Sequence, residues 1–161
     1  MAIKIKNTDK MSTKDQINYI KLLITGQLET EKDSLALMSN ISAIIKGVLP
    51  RINWVGFYLL KENELVLGPF QGLPACTRLQ KDKGVCAKAW RDLKVIRVDD
   101  VNNFEGHVAC DEASLSELVI PLIKDGEFYG VLDLDSPIKN RFIDLEEGFI
   151  EIGKLIEDYL I

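Results

Sequence analysis

The apolar positions of the chain change period twice. Ile17, Ile20, Leu23 and Ile24 recur at three- and four-residue intervals, as do Leu37, Met38, Ile41, Ile44, Ile45 and Val48. Each set therefore lies on one face of a helix. Thr13 with Gln16 three residues on predicts a capped start for the first helix, and Gly26 its end. Thr30, followed by Glu31 and Asp33, predicts the start of the second, which Pro50 stops. From Ile52 the period falls to two. Residues 52–60 and 64–70 predict a hairpin around Lys61-Glu62-Asn63, with Trp54, Gly56 and Tyr58 on one face. A Gly- and Pro-punctuated loop follows, then a turn into a short helix ending near Trp90 and a short strand over 95–98. Residues 117–123 and 128–135 predict a second hairpin around Asp125-Gly126, a dipeptide suited to the positive φ angles of a type I′ turn. Leu145, Phe149, Ile152, Leu155 and Ile156 return to the helical period, predicting a helix over 144–159.

This order predicts an α+β fold: a mostly antiparallel sheet with helices packed on one face. The 161 residues suit one domain, with helices over 1–50, sheet and loops over 51–143 and a closing helix over 144–161. A net charge of −5 and the lack of any long Lys/Arg run argue against nucleic acid. No apolar run is long enough to cross a bilayer and the first residues lack a signal-peptide core, so the expectation is a soluble cytoplasmic protein. Three cysteines, an odd number, argue against a secreted disulfide framework.

Chemistry concentrates in residues 105–135, which hold His107, Cys110, Glu117, Asp133 and Asp135. On a strand Asp133 and Asp135 share a face, and counting back through the turn sets Glu117 roughly opposite them. Three carboxylates in one patch do not all ionise cheaply. Water screens them, a cation neutralises them, or at least one keeps its proton. Cys110 lies in the long polar loop over 99–114, where a thiol can reach a ligand. The acids oppose thiolate formation, so its substrate should bring positive charge or be protonated as it is attacked. Cys86, near the start of the short helix, reads first as a small buried hydrophobe. His107 is a candidate base for Cys110, although a single histidine is more often structural. A metal site from Cys76, Cys86, His107 and Cys110 lacks the Cys-x-x-Cys pairs of zinc sites, so none is expected. Trp54 and Tyr58 are core residues by default and otherwise walls of a small pocket.

Trp54-Val55-Gly56-Phe57-Tyr58, Leu67-Gly68-Pro69-Phe70-Gln71-Gly72 with Ala75-Cys76, Gly84-Val85-Cys86, Gly106-His107-Val108-Ala109-Cys110-Asp111, Ser116-Glu117 and Leu132-Asp133-Leu134-Asp135-Ser136 together resemble the free methionine-(R)-sulfoxide reductases. These are enzymes built on a single GAF domain. The resemblance implies that Cys110 is the nucleophile and becomes a sulfenic acid as methionine leaves. It makes Cys76 the resolving thiol, with Cys86 an alternative or second recycling partner. Glu117, Asp133 and Asp135 match the acids that bind the substrate amine and assist proton transfer, and Trp54 and Tyr58 match the pocket around methyl and sulfur. Thioredoxin as reductant, a possible homodimer and no cofactor complete the implication. Ala87 and Glu105 depart from the Gly and Pro usual at those places. The rival expectation is a GAF sensor that binds a small ligand without turnover, which would need an output domain that this sequence lacks.

Overall fold

A computed structural model describes residues 2–108 and 110–160; Met1, Ala109 and Ile161, which fall within ranges named above, lie outside the described residues. The first helix, α1 (Thr13–Thr30), is capped by Ser12, whose hydroxyl accepts from the Asp15 amide at 3.1 Å. The cap is thus one residue earlier than Thr13. Gly26 does not end the helix. A glycine there costs about 1 kcal/mol relative to alanine, but continuing to Thr30 places Leu28 in the core at 1% exposure. The second helix, α2 (Ser34–Val48), begins at Asp33, whose carboxylate accepts from the Ala36 amide at 2.8 Å.

The strands are β1 (Trp54–Lys61), β2 (Glu64–Gln71), the two-residue β3 (Arg78–Leu79), β4 (Ile96–Val98), β5 (Ser116–Lys124) and β6 (Glu127–Ser136). Between β3 and β4 lies α3 (Val85–Asp92), and α4 (Glu146–Leu160) closes the chain. Both hairpins turn on pairs with positive φ, Glu62 with Asn63 and Asp125 with Gly126. That is the geometry whose twist matches flanking strands. The single sheet has the order β3-β2-β1-β6-β5-β4 with every neighbour antiparallel. The two hairpins therefore join along β1 and β6, at the centre.

Period-two alternation gives the sheet two apolar faces. Val55, Phe57, Leu118, Ile120, Leu132 and Leu134 point to α1, α2 and α4, where Ile20, Ile41, Phe149 and Ile152 complete the larger core. Trp54, Tyr58, Val119 and Val131 point the other way and pack with Val85, Ala89 and Trp90 of α3. The α+β class and the antiparallel sheet stand as read from sequence. The short helix lies on the face opposite the other three, because α3 presents its own narrow apolar stripe to β5 and β6. Asp133 and Asp135 belong to this second, thinner layer.

The thicker core sets stability. Phe149→Ala, at a fully buried side chain, is expected to cost about 3–5 kcal/mol in urea unfolding, whereas Leu22→Ala, at 68% exposure, should stay within about 0.5 kcal/mol.

Candidate active site

Strand register assembles the acids. Glu117 pairs with Asp135 across β5 and β6, and Asp133 and Asp135 follow one another on the α3 face. On the other side of β6, Gly56 pairs with Asp133. A Cβ at Gly56 would stand 2.3 Å from that of Phe70, so glycine is required where β2 crosses here. Gly84, with φ 94°, turns the chain into α3 and delivers Cys86 to the same spot. Glu117, Asp133 and Cys86 are only 6%, 5% and 4% exposed, and one donor atom from each lies within 4.8 Å of the other two. Asp133 Oδ1 is buried without a hydrogen-bond partner among the described residues.

Burial decides the protonation states. It raises Glu117 to about 8, aided by the charge on Asp135 and opposed by a hydrogen bond with Asp133. Asp133 is pushed well above the carboxylate range by burial and then by Glu117. Asp135, partly exposed at the cavity edge, rises through desolvation and then the charge on Asp133, while Ser114 opposes the rise. The Cys86 thiol is raised first by burial and then by Asp133. Burial and mutual charge thus favour protonated forms on this wall at neutral pH, one of the three outcomes open to close carboxylates. His107 Nε2 sits 3.5 Å from Glu117 Oε2, yet burial lowers the imidazole. The contact is between neutral groups rather than an ion pair, and it directs His107 to Glu117.

The facing wall carries sulfur. Cys76 and Cys110 are joined in a disulfide, with Cα atoms 5.6 Å apart. Two aromatic residues of β1 hold the Cys76 segment: the Tyr58 hydroxyl donates to the Cys76 carbonyl at 2.8 Å and Trp54 Nε1 to the Leu73 carbonyl at 3.2 Å. Their rings stack at 5.8 Å. Trp54 and Tyr58 are thus both core and cavity wall, the two roles left open by the sequence. Asn53 holds the other segment, donating from Nδ2 to Asp111 Oδ2 at 2.9 Å and to Ser114 Oγ at 3.0 Å. Nothing in the sequence marked Asn53 or Ser114, since an amide before a strand and a serine after a loop are common.

Between the walls lies a cavity of about 40 Å³ bounded by Cys110, Glu117, Asp133, Asp135, Trp54 and Tyr58. Cys86 and His107 line it too. Cys86 is the free cysteine, buried on the acid side and bonded to neither other sulfur. Of the four ligands in the metal reading, Cys76 and Cys110 are tied to each other.

Because Glu117 is raised in the folded state from 4.5 to about 8, its contribution to stability is full below pH 4.5 and is lost as pH rises through 8. Thermal or urea unfolding should show stability falling across that window, Glu117 contributing a slope that approaches about 1.4 kcal/mol per pH unit. Glu117→Gln should lower the slope by that amount and leave the part that the raised Asp133 and Asp135 contribute; an unchanged slope would remove the assignment.

The GAF domain family model matches residues 37–152. The Bacillus subtilis (strain 168) protein YtsP is 47% identical over 148 residues, covering 89% of this chain and 91% of that protein. The free methionine-R-sulfoxide reductase of Escherichia coli (strain K12) is 49% identical over 117 residues, covering 73% and 71%. Among solved structures, the free methionine-R-sulfoxide reductase from Neisseria meningitidis in complex with its substrate superposes with a TM-score of 0.89 at 35% identity. It covers 99% of this chain and 95% of that one. The chain accordingly belongs to the GAF-domain family of free methionine-(R)-sulfoxide reductases.

Proposed function

We propose that this protein reduces free methionine-(R)-sulfoxide to methionine, with Cys110 as nucleophile and Cys76 as resolving thiol. The observation that carries this reading is a redox pair of sulfurs and a wall of proton-bearing carboxyls on the same small cavity. The names of the Escherichia coli and Neisseria meningitidis relatives support it.

The acids divide between two tasks. A free amino acid brings an ammonium group, whose positive charge displaces the proton of one carboxyl of the cluster to water and is received by the resulting carboxylate as a charge-assisted hydrogen bond. A sulfoxide within a polypeptide has no such group and leaves the acids unpartnered. Glu117, titrating near 8, keeps a proton at neutral pH and delivers it to the sulfoxide oxygen, making sulfur electrophilic. The Cys110 thiolate attacks, the oxygen passes to it as a sulfenic acid, and methionine leaves. The Cys76 thiol then attacks the sulfenic sulfur, forming the disulfide and releasing water. A dithiol such as thioredoxin returns both sulfurs to thiols by exchange.

The bonded pair in the structure corresponds to the oxidised end of this cycle. Cys110 is bonded to Cys76 there, so reduction must precede attack on a substrate. Cys86 takes no step: it is buried, protonated and bonded to no other sulfur.

Single-turnover release of methionine from reduced protein tests the reading. Wild type should release one equivalent from the free R epimer. Acylating the amine or embedding the residue in a peptide should lower kcat/KM by at least about a hundredfold. Cys110→Ser should release none, while Cys76→Ser should complete one turnover and then fail to recycle with thioredoxin. Full activity in Cys110→Ser, or equal use of the acylated substrate, would overturn it.

A further inference from the structure

Cys86 is the chemically capable group that the reductase cycle leaves idle, and its neighbours are unusual. Its sulfur and single oxygens of Glu117 and Asp133 all lie within 4.8 Å of one another, and all three residues line the cavity. Ligand atoms around a tetrahedral zinc stand roughly 3.3–3.7 Å apart, given bonds of about 2.0–2.3 Å. The 4.8 Å limit on this trio exceeds that spacing by about 1 Å. Asp133 Oδ1, on a side chain 95% buried by the 5% exposure of its residue, is without a hydrogen-bond partner among the described residues. A buried acceptor left unmatched is costly unless something fills it. An ammonium group would satisfy the oxygens but gains little from the sulfur, which is a weak acceptor. A cation with affinity for thiolate uses all three, displacing to water the protons that the thiol and the carboxyls otherwise hold.

We propose that Cys86, Glu117 and Asp133 form an inhibitory site for a thiophilic divalent cation of the zinc class, which competes with the substrate's ammonium group for the same acids. The inhibitory sense rests on the reductase reading, whereas the binding itself does not. His107, 3.5 Å from Glu117 Oε2, takes the outer position that orients a ligating carboxylate. Because Cys76 and Cys110 are bonded to each other, Cys86 is the thiol available to a metal in the oxidised protein.

Titration of oxidised full-length protein with cobalt(II), an optical stand-in for zinc, reads this directly. One cobalt per chain should give a thiolate-to-cobalt charge-transfer band, which zinc displaces. Cys86→Ser should lose the band, and Glu117→Gln and Asp133→Asn, which keep the thiol, should each weaken binding at least tenfold. Absence of the band in wild type, or equal affinity in both carboxyl variants, would overturn the proposal. The same preparations, reduced and freed of metal, are assayed for methionine release with and without one equivalent of zinc, which should raise the apparent KM of wild type at least tenfold and leave that of Cys86→Ser little changed; an unchanged KM in wild type would overturn the inhibitory assignment. No release by metal-free wild type with the band intact would retire the reductase reading and leave the metal site. Full release without the band would do the reverse.

Discussion

Glu117 and Asp133 are carboxyls packed against each other and against a thiol, away from water, on one face of the β5–β6 pair. Two ionised carboxylates in that position would repel across a medium of low dielectric, so the folded chain keeps protons on them. The arrangement is unfavourable for folding, and the rest of the molecule offsets it. The opposite face of the same strands packs against three helices and forms the larger apolar core. Leu118, Leu132 and Leu134 alternate with Glu117, Asp133 and Asp135. A single pleat thus supplies both the stabilising layer and the strained one.

The sulfur-bearing wall is built on a different principle. Cys76 and Cys110 come from loops, and each loop is tied to β1 or to its leading residue. Tyr58 and Trp54 hold one through carbonyl oxygens, and Asn53 holds the other through Asp111 and Ser114. Because Trp54, Gly56 and Tyr58 share a face, a strand at the centre of the sheet sets the height of both loops above the acids. Loops carry the reactive groups, and a rigid scaffold sets their position.

Much of this was legible in the sequence where a side-chain period could be counted. Asp133 and Asp135 fall two apart, and Asp125-Gly126 marks the turn, so counting places Glu117 roughly opposite that pair, and the register sets it against Asp135. The helix limits were harder to read, because Ser12 and Thr13 are both competent caps and only the backbone at each decides which one caps. Gly26 looked like a stop, yet the gain from burying Leu28 outweighs its propensity. The side of the sheet chosen by α3 was hidden because eight residues carry too short a pattern to specify which face receives them. Asn53 was invisible for another reason: its partners, Asp111 and Ser114, are 58 and 61 residues away, and no local pattern records such a bond. The pairing of Cys76 with Cys110, implied by family resemblance, rests likewise on loop positions that spacing does not reveal.

The protonated carboxyl is the part of the mechanism most open to direct observation. A 13C NMR titration of protein labelled at the side-chain carboxyl of glutamate, with Glu117→Gln used to assign the resonance, reads its proton occupancy without reference to turnover. A midpoint near 8 for Glu117 is expected. A midpoint near the ordinary glutamate value of 4.5 would mean that the wall facing the cysteines is ionised at neutral pH, and would contradict proton delivery from Glu117.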